Sequence, residues 1–215
     1  VWQGGMTGGT GTAAVLTGKV SPSGKLAETF AYNMNPLLDY PGDGYKVTYP
    51  EQWQEGYRYF DKHPEQVWYP FGHGLSYTKF EYSDITVTPN ELNDLNTDVK
   101  VTCKIKNVGD VAGKETVQLY VHDVKSVVSK PIKELKGFEK IYLEPGEEKQ
   151  LEFNLTYRDF AYYNIGLKDW HVESGKYEIL ICASSADIRL SADCIISNPN
   201  DYTVTSKDGT CVADM

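Results

Sequence analysis

The sequence predicts a mainly β chain, an antiparallel β-sandwich over residues 84–190 preceded by the C-terminal remnant of an α/β domain. Three observations carry this. Segments of the second half alternate between apolar and polar residues, as in "VKVTCKIKN", where Val99, Val101, Cys103 and Ile105 interleave with Lys100, Thr102, Lys104 and Lys106. Successive strand side chains point to opposite faces, so this period of two implies one buried and one wet face. The turn sequences "NVGDVAG", "EPGEE" and "ESGK" separate such segments with no helical pattern between them. Residues 1–30 instead run through a Gly-rich turn, a stretch of small residues, a Pro-Ser-Gly turn and a strand start, the order expected at the end of an α/β layer.

Taken in order, the small residues Thr10–Thr17 predict a short helix, which cannot fold alone. Residues 31–83 carry many Tyr, Trp, Pro and Gly and almost no periodicity, the signature of an ordered but irregular connection that is functional or lies over a surface. Its rings, Trp53, Tyr57, Tyr59, Phe60, Trp68, Tyr69, Phe71 and Tyr77, combine large apolar areas with polar tips, suited to sealing one domain against another. Trp68, Tyr69, Phe71 and Tyr77 are therefore expected to be largely buried. "ETVQLYVHD", "KQLEFNLT" and "GKYEILICAS" continue the alternation, and residues 191–215 are expected to be a tail or a linker.

The net charge of −9 argues against a nucleic-acid or anionic-membrane partner, since both reward a basic face. No apolar run approaches the roughly 18 residues of a membrane span, and Val1 does not open a signal peptide. The reading is of a soluble protein, cytoplasmic or secreted, that begins without Met, as a fragment would.

Candidate chemistry is sparse. Cys103 and Cys182 lie in alternating segments and read as small buried hydrophobes. Cys194 and Cys211 lie near the C-terminus, where a disulfide requires an oxidising compartment. His63, His73, His122 and His171 are scattered and no C-x-x-C occurs, so neither a metal nor a cofactor is expected. "GGMTGGTGT" lacks the G-K-[ST] ending of a phosphate loop. Glu51 and Glu55 could form an acid/base couple, but glutamates four apart beside Arg58 and Asp61 more often make ion pairs. "SSADIR" has serines and an aspartate without a neighbouring histidine, and Asn154-Leu155-Thr156 is a glycosylation sequon at a strand end. No catalytic residue is assigned.

"SPSGKLAETF", "EGYRYFD", "YPFGHGLSYTKFEYS", "KELKGFEKIYLEPGE" and "SSADIRLS" stand in the order and rough spacing of the C-terminal half of family 3 glycoside hydrolases, the β-glucosidase and β-xylosidase group, and the chain resembles that family from residue 1 to about 190. The resemblance implies a (β/α)8 barrel, an α/β sandwich domain and a fibronectin type III-like, immunoglobulin-like β-sandwich. Residues 1–30 resemble the end of the α/β sandwich, 31–83 the connecting segment and 84–190 the fibronectin type III-like domain.

It also implies that the nucleophilic aspartate lies on the barrel and the acid/base glutamate upstream of Val1. This chain would then be inactive alone, its partners being the missing barrel and the remainder of the α/β domain, in the same polypeptide or a separate chain, and a β-glucoside or oligosaccharide substrate. Thr7 in "GGMTGG" stands where the family commonly has a glutamate, so no role of that acid transfers. "NPNDYTVTSKDGTCVADM" could open a connection to a barrel placed after the sandwich, as in some relatives. The alternative is a stand-alone carbohydrate-binding or adhesion module that stacks sugars on Trp53 and Trp68.

Overall fold

The computed structural model describes residues 4–32 and 53–201. Helix α1 (Gly8–Leu16) follows the glycine turn, and its Thr12 hydroxyl donates back to the Gly8 carbonyl at 2.9 Å. Strand β1 (Phe30–Ala31) pairs antiparallel with β2 (Val67–Tyr69). The described part of the connection from Trp53 onward also holds the single-turn helix α2 (Tyr57–Phe60) and a 3-10 turn at Pro64–Gln66. The irregular segment thus contains short regular pieces.

The sandwich has two sheets. One holds β3 (Phe80–Thr88), β5 (Val99–Asn107) and β8 (Glu148–Leu155) in the order β3-β5-β8. The other runs β4-β12-β11-β6-β7, built from β4 (Glu91–Leu92), β6 (Gly113–Asp123), β7 (Glu134–Leu143), β11 (Gly175–Ser184) and β12 (Asp187–Ile196). Of its pairings only β4 with β12 is parallel. Helix α3 (Tyr157–Phe160) and the small hairpin of β9 (Tyr162–Asn164) and β10 (Asp169–His171) lie between β8 and β11 in the chain.

The alternation read in β5 is realised: Val99, Val101, Cys103 and Ile105 are wholly buried. They face Val117, Leu119, Ile179 and Ile181 of the opposite sheet in one apolar core, with Phe160 set edge-on to Tyr177. On the wet face Lys100 pairs with Glu152 and Lys104 with Asp84, both at 2.9 Å. Asn107, also wholly buried, organises the end of the strand. Its amide donates to the Val111 and Leu143 carbonyls, and its side-chain oxygen accepts from the Thr78 hydroxyl and the Gly109 N–H.

The strands run from Phe80 to Ile196, against the expected 84–190. Residues 191–196, expected as tail, are strand. Cys194 and Ile196 point into the core, and Cys194 and Ile196 sit opposite Tyr177 and Gly175 of β11. The period of two continues through Ala192, Cys194 and Ile196, and the interior on that side takes them up.

Candidate functional site

The N-terminal segment meets the sandwich along one polar seam. The Leu26 N–H donates to the His73 carbonyl and the Gly72 N–H to the Leu26 carbonyl, each at 2.8 Å, so "GKLAETF" lies against "YPFGHG" as a short ladder. Gly72 has φ +77°, open to glycine and strained for other residues. A Cβ there would run into the Gln118 carboxamide, and one at Gly74 into the Gly24 carbonyl. Gln118 is buried at the centre of the seam. Its amide donates to the carbonyls of Gly72 and Ala183, and its oxygen accepts from the Tyr120 hydroxyl.

Phe71 is half-buried and locks in on both sides: its N–H donates to the Thr29 hydroxyl and its carbonyl accepts from the Ser185 N–H. Its ring stacks on Tyr57 at 5.1 Å, and Tyr57 meets Tyr120 edge-on at 5.8 Å. The Tyr57 hydroxyl in turn accepts from the Leu135 N–H.

Two ion pairs flank these rings. Lys25 stands 2.7 Å from Glu115 and donates to the Ala183 carbonyl. Lys133 stands 2.5 Å from Asp61, with the two side chains only 8% and 9% exposed. Burial, opposed by the Lys133 hydrogen bond and charge, leaves the Asp61 carboxyl above its ordinary range. None of these partners is near in sequence, and no sequence signal marked them.

The expected seal of four buried rings needs correction. Trp68, Tyr69 and Tyr77 are 55%, 38% and 52% exposed, and only Phe71 turns into the seam. Among the described residues of the connection, the buried rings are Tyr57 and Tyr59. Side chains leaving a short strand and a turn point in different directions, so one aromatic run serves two faces. The outer face carries a ladder: Tyr32 stacks on Trp68 at 6.0 Å, Trp68 on Tyr69 at 5.2 Å and Tyr69 on His73 at 5.3 Å. Tyr77 instead donates its hydroxyl to the Val15 carbonyl of α1.

The other candidates take structural roles or stand apart. Glu55 is exposed, and Glu51 lies outside the described residues, as does Cys211. The Ser184 hydroxyl accepts from the Ala186 and Asp187 N–H groups, closing the β11–β12 turn. Burial pushes the thiols of Cys103 and Cys194 up to about 11 and that of Cys182 up to about 12, which leaves them inert. Among the described residues no His, Cys, Asp and Glu cluster could hold a metal ion, and no helix is long and apolar enough to cross a membrane.

Residues 1–77 match the glycosyl hydrolase family 3 C-terminal domain, and residues 115–185 match the fibronectin type III-like domain. The chain belongs to glycoside hydrolase family 3. The family match ends at Tyr77, just before β3 opens the sandwich at Phe80.

Within the family, the chain is 57% identical over 192 residues to the thermostable β-glucosidase B of Acetivibrio thermocellus, covering 88% of this chain and 25% of that protein. It is 43% identical over 190 residues to an exo-α-(1→6)-L-arabinopyranosidase of Bifidobacterium longum, covering 87% of this chain and 25% of the relative. The crystal structure of a family 3 β-glucosidase from Bifidobacterium adolescentis superposes with a TM-score of 0.83 at 40% identity, covering 95% of this chain and 31% of that one. β-Glucosidase 3B of Thermotoga neapolitana in complex with glucose gives 0.81 at 39% identity, covering 90% and 27%. The chain thus spans about a quarter of the length of the curated relatives it matches.

Proposed function

We infer that this chain is the C-terminal or middle portion of a retaining β-glycosidase, a β-glucosidase first of all, acting on terminal β-linked sugars. In that enzyme it supplies scaffold and a wall of the substrate site, and the catalytic carboxylates come from elsewhere. The observation that carries the reading is the 57% identity to a β-glucosidase of which these residues make up only 25%. Retaining hydrolysis requires two carboxyl groups about 5–5.5 Å apart across the scissile bond. The carboxylates of the seam, Asp61 and Glu115, are instead neutralised by lysines.

The ladder of Tyr32, Trp68 and Tyr69 is the face assigned to the barrel and the rest of the α/β domain. Stacked, exposed rings on a two-stranded ribbon are costly to leave in water, and they adjoin the seam that already joins the two parts of this chain. That relatives named for a β-glucosidase and for an arabinopyranosidase match the same residues supports placing sugar choice outside this segment.

The test is reconstitution. This chain alone should not hydrolyse aryl β-glucosides, and joined to the barrel-bearing remainder of its own reading frame it should. Turnover by the chain alone that survives repurification and is lost in Glu55→Gln overturns the reading.

A further inference from the structure

A groove of about 730 Å³ lies on the sandwich between the β6–β7 connection, α3 and the β9–β10 hairpin. Trp53, Tyr163, Trp170, Arg158, Glu134 and Lys136 are among its lining residues. Its size is that of a small-molecule site.

The hairpin builds the aromatic floor. Tyr163 and Trp170 are cross-strand partners and so leave the same face of the ribbon, 5.6 Å apart and edge to face. Their neighbours in register point inward: Asn164 is wholly buried and accepts from the Leu167 N–H, and His171 is buried. The ribbon is thus anchored by one face while the other holds out two rings, Tyr163 48% exposed and Trp170 39% exposed. The Arg158 guanidinium lies 3.1 Å from the centroid of the Trp170 ring, and Lys62 sits over Trp53 at 4.8 Å. These cations steady the indoles. Lys136 and Glu134, 3.3 Å apart, add a donor and an acceptor to the rim.

We propose that this groove binds a β-linked pyranose oligosaccharide, with sugar faces on Trp170 and Tyr163 and sugar hydroxyls on Glu134, Lys136 and Arg158. Such a ligand alternates apolar C–H faces with a rim of hydroxyls that both donate and accept, which is the pattern the groove offers. An amphipathic helix would require a continuous apolar trough, and here charged groups of both signs interrupt it. A polyanion would meet a chain of net charge −9. The site uses no catalytic carboxylate and no barrel, and only the choice of a β-linked ligand rests on the glycosidase reading.

The experiment titrates the full chain with short β-1,4- and β-1,3-linked gluco-oligosaccharides by calorimetry, following tryptophan fluorescence in parallel. Saturable binding is expected. Tyr163→Ala, at an exposed ring, should weaken it by roughly tenfold or more while the thermal midpoint stays put. Trp170→Ala should abolish it, and if that variant unfolds the Tyr163 arm still decides. Trp68→Ala, on the outer ladder, should bind as the parent does. Absence of saturable binding by every oligosaccharide, affinity unchanged in Tyr163→Ala, or loss in Trp68→Ala each overturns the proposal. None of these outcomes bears on reconstituted hydrolysis, so the two readings fail separately.

Discussion

The Gln118 carboxamide occupies the space into which a side chain at Gly72 would project, and its amide donates to the Gly72 carbonyl at 3.2 Å. One glycine and one glutamine, separated by 46 positions, thereby set how closely the N-terminal segment approaches the sandwich.

Gly72→Ala should accordingly cost at least about 2 kcal/mol, from a left-handed backbone and a steric clash together. Gly18 shares the positive φ but has open space around it, so Gly18→Ala should cost only about 1 kcal/mol. Thermal melts of the two variants check the comparison. Equal costs would mean that Gln118 moves aside freely.

The rings of the connection should sort by face. Phe71→Ala removes a half-buried ring stacked on Tyr57 and should cost about 2–4 kcal/mol. Trp68→Ala removes an exposed one and should fall within about 0.5 kcal/mol of the parent. If the ladder docks the barrel, Trp68→Ala should nonetheless weaken association with the remainder of the enzyme, measured as the concentration needed to restore hydrolysis.

Lys133→Met strands Asp61 in a buried site and should cost about 3–5 kcal/mol at neutral pH, with Asp61→Leu combined with Lys133→Met recovering part of it. The sign with pH follows from the carboxyl. Burial raises its pKa, so the native state binds the proton more tightly than the unfolded chain does. Stability is therefore lost as pH rises from the ordinary carboxylate range, about 3.9, through the raised native value. Lys133→Met removes the group that opposes this shift, so its penalty should shrink as pH falls. Urea titrations at several pH values read it directly.

Glu173 is buried, with Oε2 accepting from the Val127 N–H at 3.0 Å and Oε1 without a partner among the described residues. Burial, opposed by that hydrogen bond and by Lys130, raises its pKa. Its ionised form thus weighs against the fold above the ordinary glutamate range, about 4.3. Glu173→Gln keeps an acceptor and removes the charge. It should be neutral or stabilising by about 1 kcal/mol at pH 7 and lose that advantage in acid, as denaturant midpoints across pH would show.

Family membership and the β-sandwich were legible in the sequence because both rest on local signals: a period of two in Val99–Ile105, turns at Gly and Pro, and long motifs in register. The same signal ran on through Ala192, Cys194 and Ile196, where the strand continues past the expected tail. The direction in which each ring faces was not legible. Trp68 and Phe71 stand three positions apart in one aromatic run, yet one is exposed and the other packs on Tyr57.

The sequence by itself determined the alternating strands over Val99–Asn107, Gly113–Asp123, Glu148–Leu155 and Gly175–Ser184 and the family the chain belongs to. The tertiary structure decided that Lys133 meets Asp61, that Lys25 meets Glu115 and that Tyr163 stands beside Trp170 above a groove. Strand alternation is written in neighbouring residues, whereas these pairings depend on where distant segments come to rest, which is set by backbone turns such as Gly72 and by the packing of the whole core.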